Sequence, residues 1–284
     1  MKNNFAYFIA SYGKPEFIPT LKSLEKCNAK YPIYIVVSTD DPKFEEYKQY
    51  ENLLVFERSD YYDQVDAIGV YNKTHKICTY SRLAVEDFAR QLGVKYIGYL
   101  FDDIMSFSLR YLNKEHKISA IQKFNIDDMM DMYISLLNSS NDIYLTGPPN
   151  SAYYIGVNEE STLNYSQRFG NMIVYDIDKK MEPYKASMME DMTIILNNNM
   201  RGKLSICPFG LQVNCREPAV TGDSYKDMSL SEYIQQKSIM SGGIDIGKSV
   251  KDTHIPYKNF TPKIIDEKYR QTETIGIAET DLWS

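Results

Sequence analysis

The chain has 284 residues, 43% of them apolar and 25% charged, enough to bury a sizeable core in one large domain or two small ones. A net charge of −6 excludes a global basic field that would draw it to nucleic acid, so any DNA contact needs a local patch. Lys179, Lys180 and Lys185 are one candidate patch, and Arg201, Lys203 and Arg216 another, against the alternative of solvated surface charges. Cys27, Cys78, Cys207 and Cys215 lack zinc-type spacing and no secretory leader precedes them, so reduced thiols and a cytoplasmic location are expected. The apolar runs are too short to span a bilayer.

Phe5 to Ala10 reads as a strand, followed by the turn composition Ser11-Tyr12-Gly13-Lys14-Pro15. Pro15 suits a first helical turn, with Phe17, Ile18, Leu21 and Leu24 at helical spacing behind it. Tyr34 to Val37 is a second strand ending in Ser38-Thr39-Asp40-Asp41-Pro42, helical residues run to about Tyr50, and Leu53 to Phe56 is a third strand. This βα alternation predicts an α/β fold with a parallel sheet and helices on its faces. Residues 57–77 read as a loop or short helix, and Thr79 to Gln91 as a helix closed by Leu92 and Gly93.

The segment Tyr96-Ile-Gly-Tyr-Leu-Phe-Asp-Asp-Ile-Met105 is the most informative. A strand-length apolar run ends in Asp102 and Asp103 before the chain turns polar at Ser106. Charge is rarely tolerated inside a buried strand, so the acids belong at the carboxyl edge of the sheet, where open α/β sheets place ligands. Two hard oxygen donors there suit a divalent cation, which in turn suits a diphosphate. Ser11-Tyr12-Gly13 and Ser38-Thr39-Asp40 close their own strands and fall on the same edge. Asp40 can accept hydrogen bonds from a base or ribose, or can simply start a helix with Asp41-Pro42.

Further along, Asn125 to Leu137 is a helix and Ile143 to Thr146 a strand stopped by Gly147-Pro148-Pro149. Asn171 to Tyr175 is a strand without an evident helix partner, Ser187 to Asn198 a helix, Leu204 to Cys207 a short strand, and 211–250 is polar. One domain with a nucleotide-like half and a more irregular second half accounts for this order. Arg82, at a helix start, can grip phosphate or an acidic group. Glu190 and Asp191 stand in a helix's first turn, where a carboxylate is stabilised as an anion and can act as a general base. His254 can complete a metal's coordination, whereas His75 and His116 sit in charged, loop-like surroundings. Neither G-x-G-x-x-G nor G-x-x-x-x-G-K-[ST] is present, so neither a dinucleotide fold nor a P-loop is supported.

These pieces resemble a GT-A nucleotide-sugar glycosyltransferase, and more narrowly the TET/JBP-associated glycosyltransferases of phages that decorate hypermodified DNA bases, with the beta-glucosyl-hydroxymethylcytosine alpha-glucosyltransferases as expected relatives. Four stretches carry the resemblance: Phe8 to Ser23, Ser81 to Ile104, Met189-Glu-Asp191, and His254 to Ile265. It implies a single GT-A-like domain with a mostly parallel sheet, a nucleotide-sugar-binding half over 1–105, an acceptor-binding half over 106–265 and a tail over 266–284. It further implies that Ser11, Tyr12, Gly13 and Asp40 hold the uridine of a UDP-sugar while Arg82 faces the diphosphate or sugar. Asp103, helped by Asp102, becomes the acid of a shortened metal motif for Mn²⁺ or Mg²⁺, completed by His254. Asp191, with Glu190 beside it, acts on the acceptor hydroxyl, and modified double-stranded DNA is the implied partner. Two departures stand out. The family's Asp-Asp-Asp has Phe101 in first place, and its Ala-Arg-Asn reads Ser81-Arg82-Leu83.

Overall fold

A computed structural model describes residues 4–65, 78–112, 114, 118–149, 163–165, 169, 171–181, 190–199, 201–208, 210–215, 244–245 and 263–264. β1 (Phe5–Ala10) is apolar on both faces: Phe5, Tyr7 and Ile9 point into one core, Ala6 and Phe8 into the other. A strand covered on both sides belongs in the middle of a parallel sheet with helices above and below. β1 lies between β2 (Ile33–Ser38) and β4 (Tyr96–Phe101), parallel to both, and β3 (Leu53–Phe56) extends the sheet beyond β2.

The full order is β3-β2-β1-β4-β9-β7-β10-β8, an eight-stranded mixed sheet. β9 (Met172–Asp176) runs antiparallel between β4 and β7 (Ile143–Thr146), and β10 (Leu204–Pro208) is parallel to β7. β8 (Leu163–Tyr165) closes the edge antiparallel to β10. β1, β2, β3, β4, β7 and β10 therefore share one direction, as the α/β expectation required. The reversal of β9 explains why no helix accompanies it in the sequence. An antiparallel neighbour needs no crossover.

One face is covered by α3 (Cys78–Leu92) and α5 (Glu190–Asn199), the other by α1 (Pro19–Lys26) and α4 (Ile126–Ser139). α3 stops at Gly93, whose φ of 66° is the left-handed cap that glycine adopts without steric cost. α2 (Phe44–Tyr47) and a 3-10 turn over Arg58–Gln64 fill the loops after β2 and β3. Three differences from the sequence expectation matter. α1 begins at Pro19, not Pro15, because residues 14–17 turn back through a Phe17 to Lys14 hydrogen bond. The chain after Ser106, read only as turning polar, supplies strands: β5 (Ile104–Leu112), β6 (Ile118–Ile121) and β11 (Leu211–Cys215) form a second, antiparallel sheet in the order β11-β5-β6. β12 (Ile244–Asp245), inside the 211–250 stretch read as polar, pairs antiparallel with β13 (Lys263–Ile264) beyond it.

Candidate functional site

The shared direction of the parallel strands brings the loop after β1, the Thr39–Asp41 segment after β2, Arg58 after β3 and the Asp102–Asp103 turn after β4 to one carboxyl edge. β9 enters from that edge, so Asn171 joins them, and α3 and α5 both start there. The sequence-predicted Ser11, Tyr12, Gly13, Asp40, Arg82, Asp102, Asp103, Glu190 and Asp191 thus fall on one rim.

The acidic turn is braced from below by α1. Thr20 Oγ1 donates to Phe101 O (2.6 Å) and accepts from the Ile104 backbone N (3.0 Å), spanning the two aspartates, while Ser23 Oγ donates to Ile104 O (2.9 Å). Ser11 Oγ donates to Asp102 Oδ2 (2.8 Å) and also bonds the Tyr47 hydroxyl (2.8 Å). Asn171 Nδ2 donates to Asp103 Oδ1 (3.1 Å) from a residue whose φ is 51°, a left-handed conformation that Asn tolerates. Both carboxyls are pushed above the usual aspartate range, chiefly by burial. The charge of Asp103 adds to the effect at Asp102, and Lys14 opposes it at both.

Neither aspartate forms an ion pair among the described residues; Ser11 and Asn171, both neutral, donate to them. Two half-buried carboxylates with neutral partners and raised proton affinity are a donor set that a divalent cation would complete. No group of three metal-ligating side chains occurs among the described residues, and His254, the expected third ligand, lies outside them, as do His75 and His116.

On the nucleotide side, Asp40 is not the residue that shapes the loop. Asp41, buried, accepts the Gly13 backbone N (2.7 Å) and the Lys43 backbone N (2.7 Å), and the Tyr47 hydroxyl accepts the Lys14 backbone N (3.0 Å). Burial, with the charges of Asp41 and Asp102 behind it, pushes the Tyr47 hydroxyl up to about 12. Asp40 is half exposed and paired with the buried Arg58 (Nε to Oδ2, 3.0 Å), whose guanidinium lies 5.9 Å from the Tyr12 ring centre. Tyr12, Asp40 and Arg58 present a ring and a fixed carboxylate, groups that can stack on and hydrogen-bond a nucleobase. Reading Asp40 and Asp41 as a local helix start hides this, because Arg58 and Gly13 are far away in sequence.

Arg82, expected to face phosphate, is 2% exposed. Its Nε and Nη2 donate to Glu190 Oε1 at 3.0 and 2.9 Å. Glu190 is thereby held as the partner of a cation, and Asp191, also buried, is the neighbouring acid. Burial pushes the nearby Cys78 thiol well up, with the charge of Glu190 contributing.

The described members of the two candidate DNA patches sit elsewhere. Lys179 follows β9 at the opposite edge, where its Nζ donates to the carbonyls of Leu137 (2.5 Å), Ser140 (2.9 Å) and Ile143 (2.6 Å) and so caps the end of α4. Arg201 and Lys203 precede β10 at the same far edge and bond to the backbone carbonyls of Asn197 and Lys180. Lys185 and Arg216 lie outside the described residues.

The fold is thus a mostly parallel α/β sheet with an antiparallel insertion and paired carboxylates on its ligand edge. Residues 5–209, more than half of the chain, match the TET-Associated Glycosyltransferase family, and the chain belongs to that family. Among solved structures, it is similar to glucosyl-3-phosphoglycerate synthase from Mycobacterium tuberculosis in complex with Mg²⁺ and UDP: 8% identity, TM-score 0.44, covering 84% of this chain and 76% of that one. The same enzyme with Mn²⁺, UDP-glucose and phosphoglyceric acid matches at 8% identity and TM-score 0.45, over 84% and 77%. A putative nucleotide-diphospho-sugar transferase from Desulfovibrio desulfuricans matches at 8% identity and TM-score 0.42, over 83% and 95%. No curated protein matches the chain in sequence. No helix among the described residues is long and apolar enough to cross a membrane.

Proposed function

We propose that this glycosyltransferase moves a hexose, glucose from UDP-glucose, onto a hydroxyl of modified DNA, either 5-hydroxymethylcytosine or the glucose already attached to it. The family match supports glycosyl transfer, and its TET association supports a modified base as acceptor. The observation that carries the donor side is the Asp102–Asp103 turn: two partly buried carboxylates with no ion-pair partner among the described residues, beside a loop built to meet a nucleoside. Asp103, with Asp102, would hold Mn²⁺ or Mg²⁺, and His254 is the proposed additional ligand. Such a cation supplies Lewis-acid neutralisation of a leaving diphosphate. Ser11, Tyr12, Gly13 and Asp40 hold the uridine. Asp191 takes the proton from the acceptor hydroxyl as its oxygen attacks the anomeric carbon, if the transfer inverts; in a retaining transfer it orients that hydroxyl. Residues 1–105 serve the donor, and 106–265 the acceptor.

The test is incubation with UDP-glucose, Mn²⁺ and hydroxymethylcytosine DNA, with and without prior glucosylation, followed by nucleoside mass analysis. A mass increment of one hexose on the nucleoside is expected. Asp191→Asn should keep UDP affinity and lose transfer by a factor on the order of 10²–10⁴; full activity in that variant would remove Asp191 from its role. A second reading, transfer to a glycan or small hydroxyl compound, is favoured by the net charge of −6 and by basic side chains placed at the far edge. Hexose transfer to a glycan panel, with DNA untouched, would decide for it.

A further inference from the structure

Arg82 is among the largest side chains that the interior fully encloses. A guanidinium at 2% exposure is poorly placed to meet a phosphate arriving from solvent. It is held instead from two other elements at once. From α5, Glu190 Oε1 accepts both Nε and Nη2, across 108 residues of sequence. From β4, the Tyr99 ring centre lies 4.2 Å from the guanidinium carbon and the Phe101 ring centre 5.3 Å away. The Tyr99 hydroxyl is fixed in turn by Ser81 Oγ (2.8 Å), which also bonds the Cys78 carbonyl (2.7 Å) in the first turn of α3. A planar fork beside two aromatic rings that donates twice to one carboxylate oxygen is an arrangement in which lysine cannot replace arginine without loss.

We propose that Arg82 is a positioning residue. Through Glu190 it fixes the first turn of α5 against α3 and β4, and so sets where the adjoining Asp191 carboxylate stands. The inference rests on the reading of Asp191 given above and gives Arg82 a different task from gripping the donor diphosphate. Glu190, with its charge committed to the guanidinium, is an anchor and not a second base. Phe101 has a part here as well. An apolar ring at the end of β4 leaves Glu190 as the carboxylate that takes the Arg82 fork, where an acid at 101 would compete for it.

Arg82→Met alone strands a buried carboxylate and threatens folding, so the decisive variants are Arg82→Met with Glu190→Gln, which removes both charges, and Arg82→Lys, which keeps both charges but loses the planar fork. UDP binding with Mn²⁺ is measured by calorimetry, and transfer from UDP-glucose to hydroxymethylcytosine DNA by steady-state kinetics. The expected result is a UDP affinity within about twofold of wild type in both variants and an unchanged donor KM. kcat falls by roughly a hundredfold in the double variant and roughly tenfold in Arg82→Lys. A tenfold or greater loss of UDP affinity in Arg82→Lys would return Arg82 to the diphosphate and overturn the inference, as would an unchanged kcat. A wild-type protein that fails to bind UDP, or to modify this DNA, overturns the functional reading instead.

Discussion

Gly13 holds a φ of 70° with open space around it, and what keeps the loop there is Asp41. The carboxylate spans the loop after β1 and the start of α2, accepting one backbone N–H from each. Asp41→Ala leaves the Gly13 and Lys43 amides without that acceptor, at a cost of about 1–3 kcal/mol. Chemical denaturation should show it as a lower midpoint, and an unchanged midpoint would mean that water replaces the carboxylate. The loss should extend to UDP affinity, since Ser11 and Tyr12 ride on the same loop. Legibility at this scale divides by distance along the chain. Asp102 and Asp103 can be read because a charge ending an apolar run is a local signal. Asp41, Tyr47, Arg58 and Asn171 cannot, because each owes its role to a partner supplied by another loop. Only Arg58 left a trace, as a cation directly after a strand on the ligand edge.

β4 is the element on which the site depends, and its middle residue is Gly98. A Cβ there would stand 2.6 Å from Phe5 Cζ on the neighbouring strand, far inside contact distance. Gly98→Ala should therefore destabilise the protein by about 1–3 kcal/mol through overpacking, measurable as a lowered melting temperature. Phe5→Leu in the same chain should recover part of the loss, and the absence of any recovery would place the strain elsewhere. The sequence pattern located β1 to β4, α3 and α4 because fully buried strands and helices with an apolar face carry periodic signals. It missed β5, although Phe107, Leu109 and Tyr111 alternate with Ser106, Ser108 and Arg110. The polar half of that alternation masks the strand once an acidic turn precedes it. Here Ser108 and Gln212, from paired strands, are buried as well, so polarity does not report exposure in the second sheet. α1 was placed four residues early because Pro15 and Pro19 are equally good first-turn residues, and only the turn at Lys14–Phe17 distinguishes them.

Among the described residues, acids outnumber bases at the carboxyl edge, where Lys14 and Lys43 also stand. The carboxyl edge carries Asp40, Asp41, Asp102, Asp103, Glu190 and Asp191, with Arg58 and Arg82 already committed to Asp40 and Glu190. Lys179, Lys180, Arg201 and Lys203 gather at the opposite edge, where Lys179 and Lys203 bond to backbone carbonyls. If the acceptor is DNA, few of the described basic side chains stand where its phosphates would approach these acids. If about one or two phosphates are contacted, affinity should fall only about 3- to 12-fold between 50 and 200 mM salt, against the 10³ or more lost by a protein that contacts six or more. The same geometry predicts that Lys180→Ala combined with Arg201→Ala, both exposed and remote from the acids, leaves transfer to hydroxymethylcytosine DNA within about twofold of wild type. A steep salt slope, or loss of transfer in that pair, would require the DNA to wrap from one edge of the sheet to the other. Selectivity on the shallow-slope reading must then come from the modified base itself, since a site that makes few backbone contacts has only the sugar or hydroxymethyl group and the base edge left to recognise.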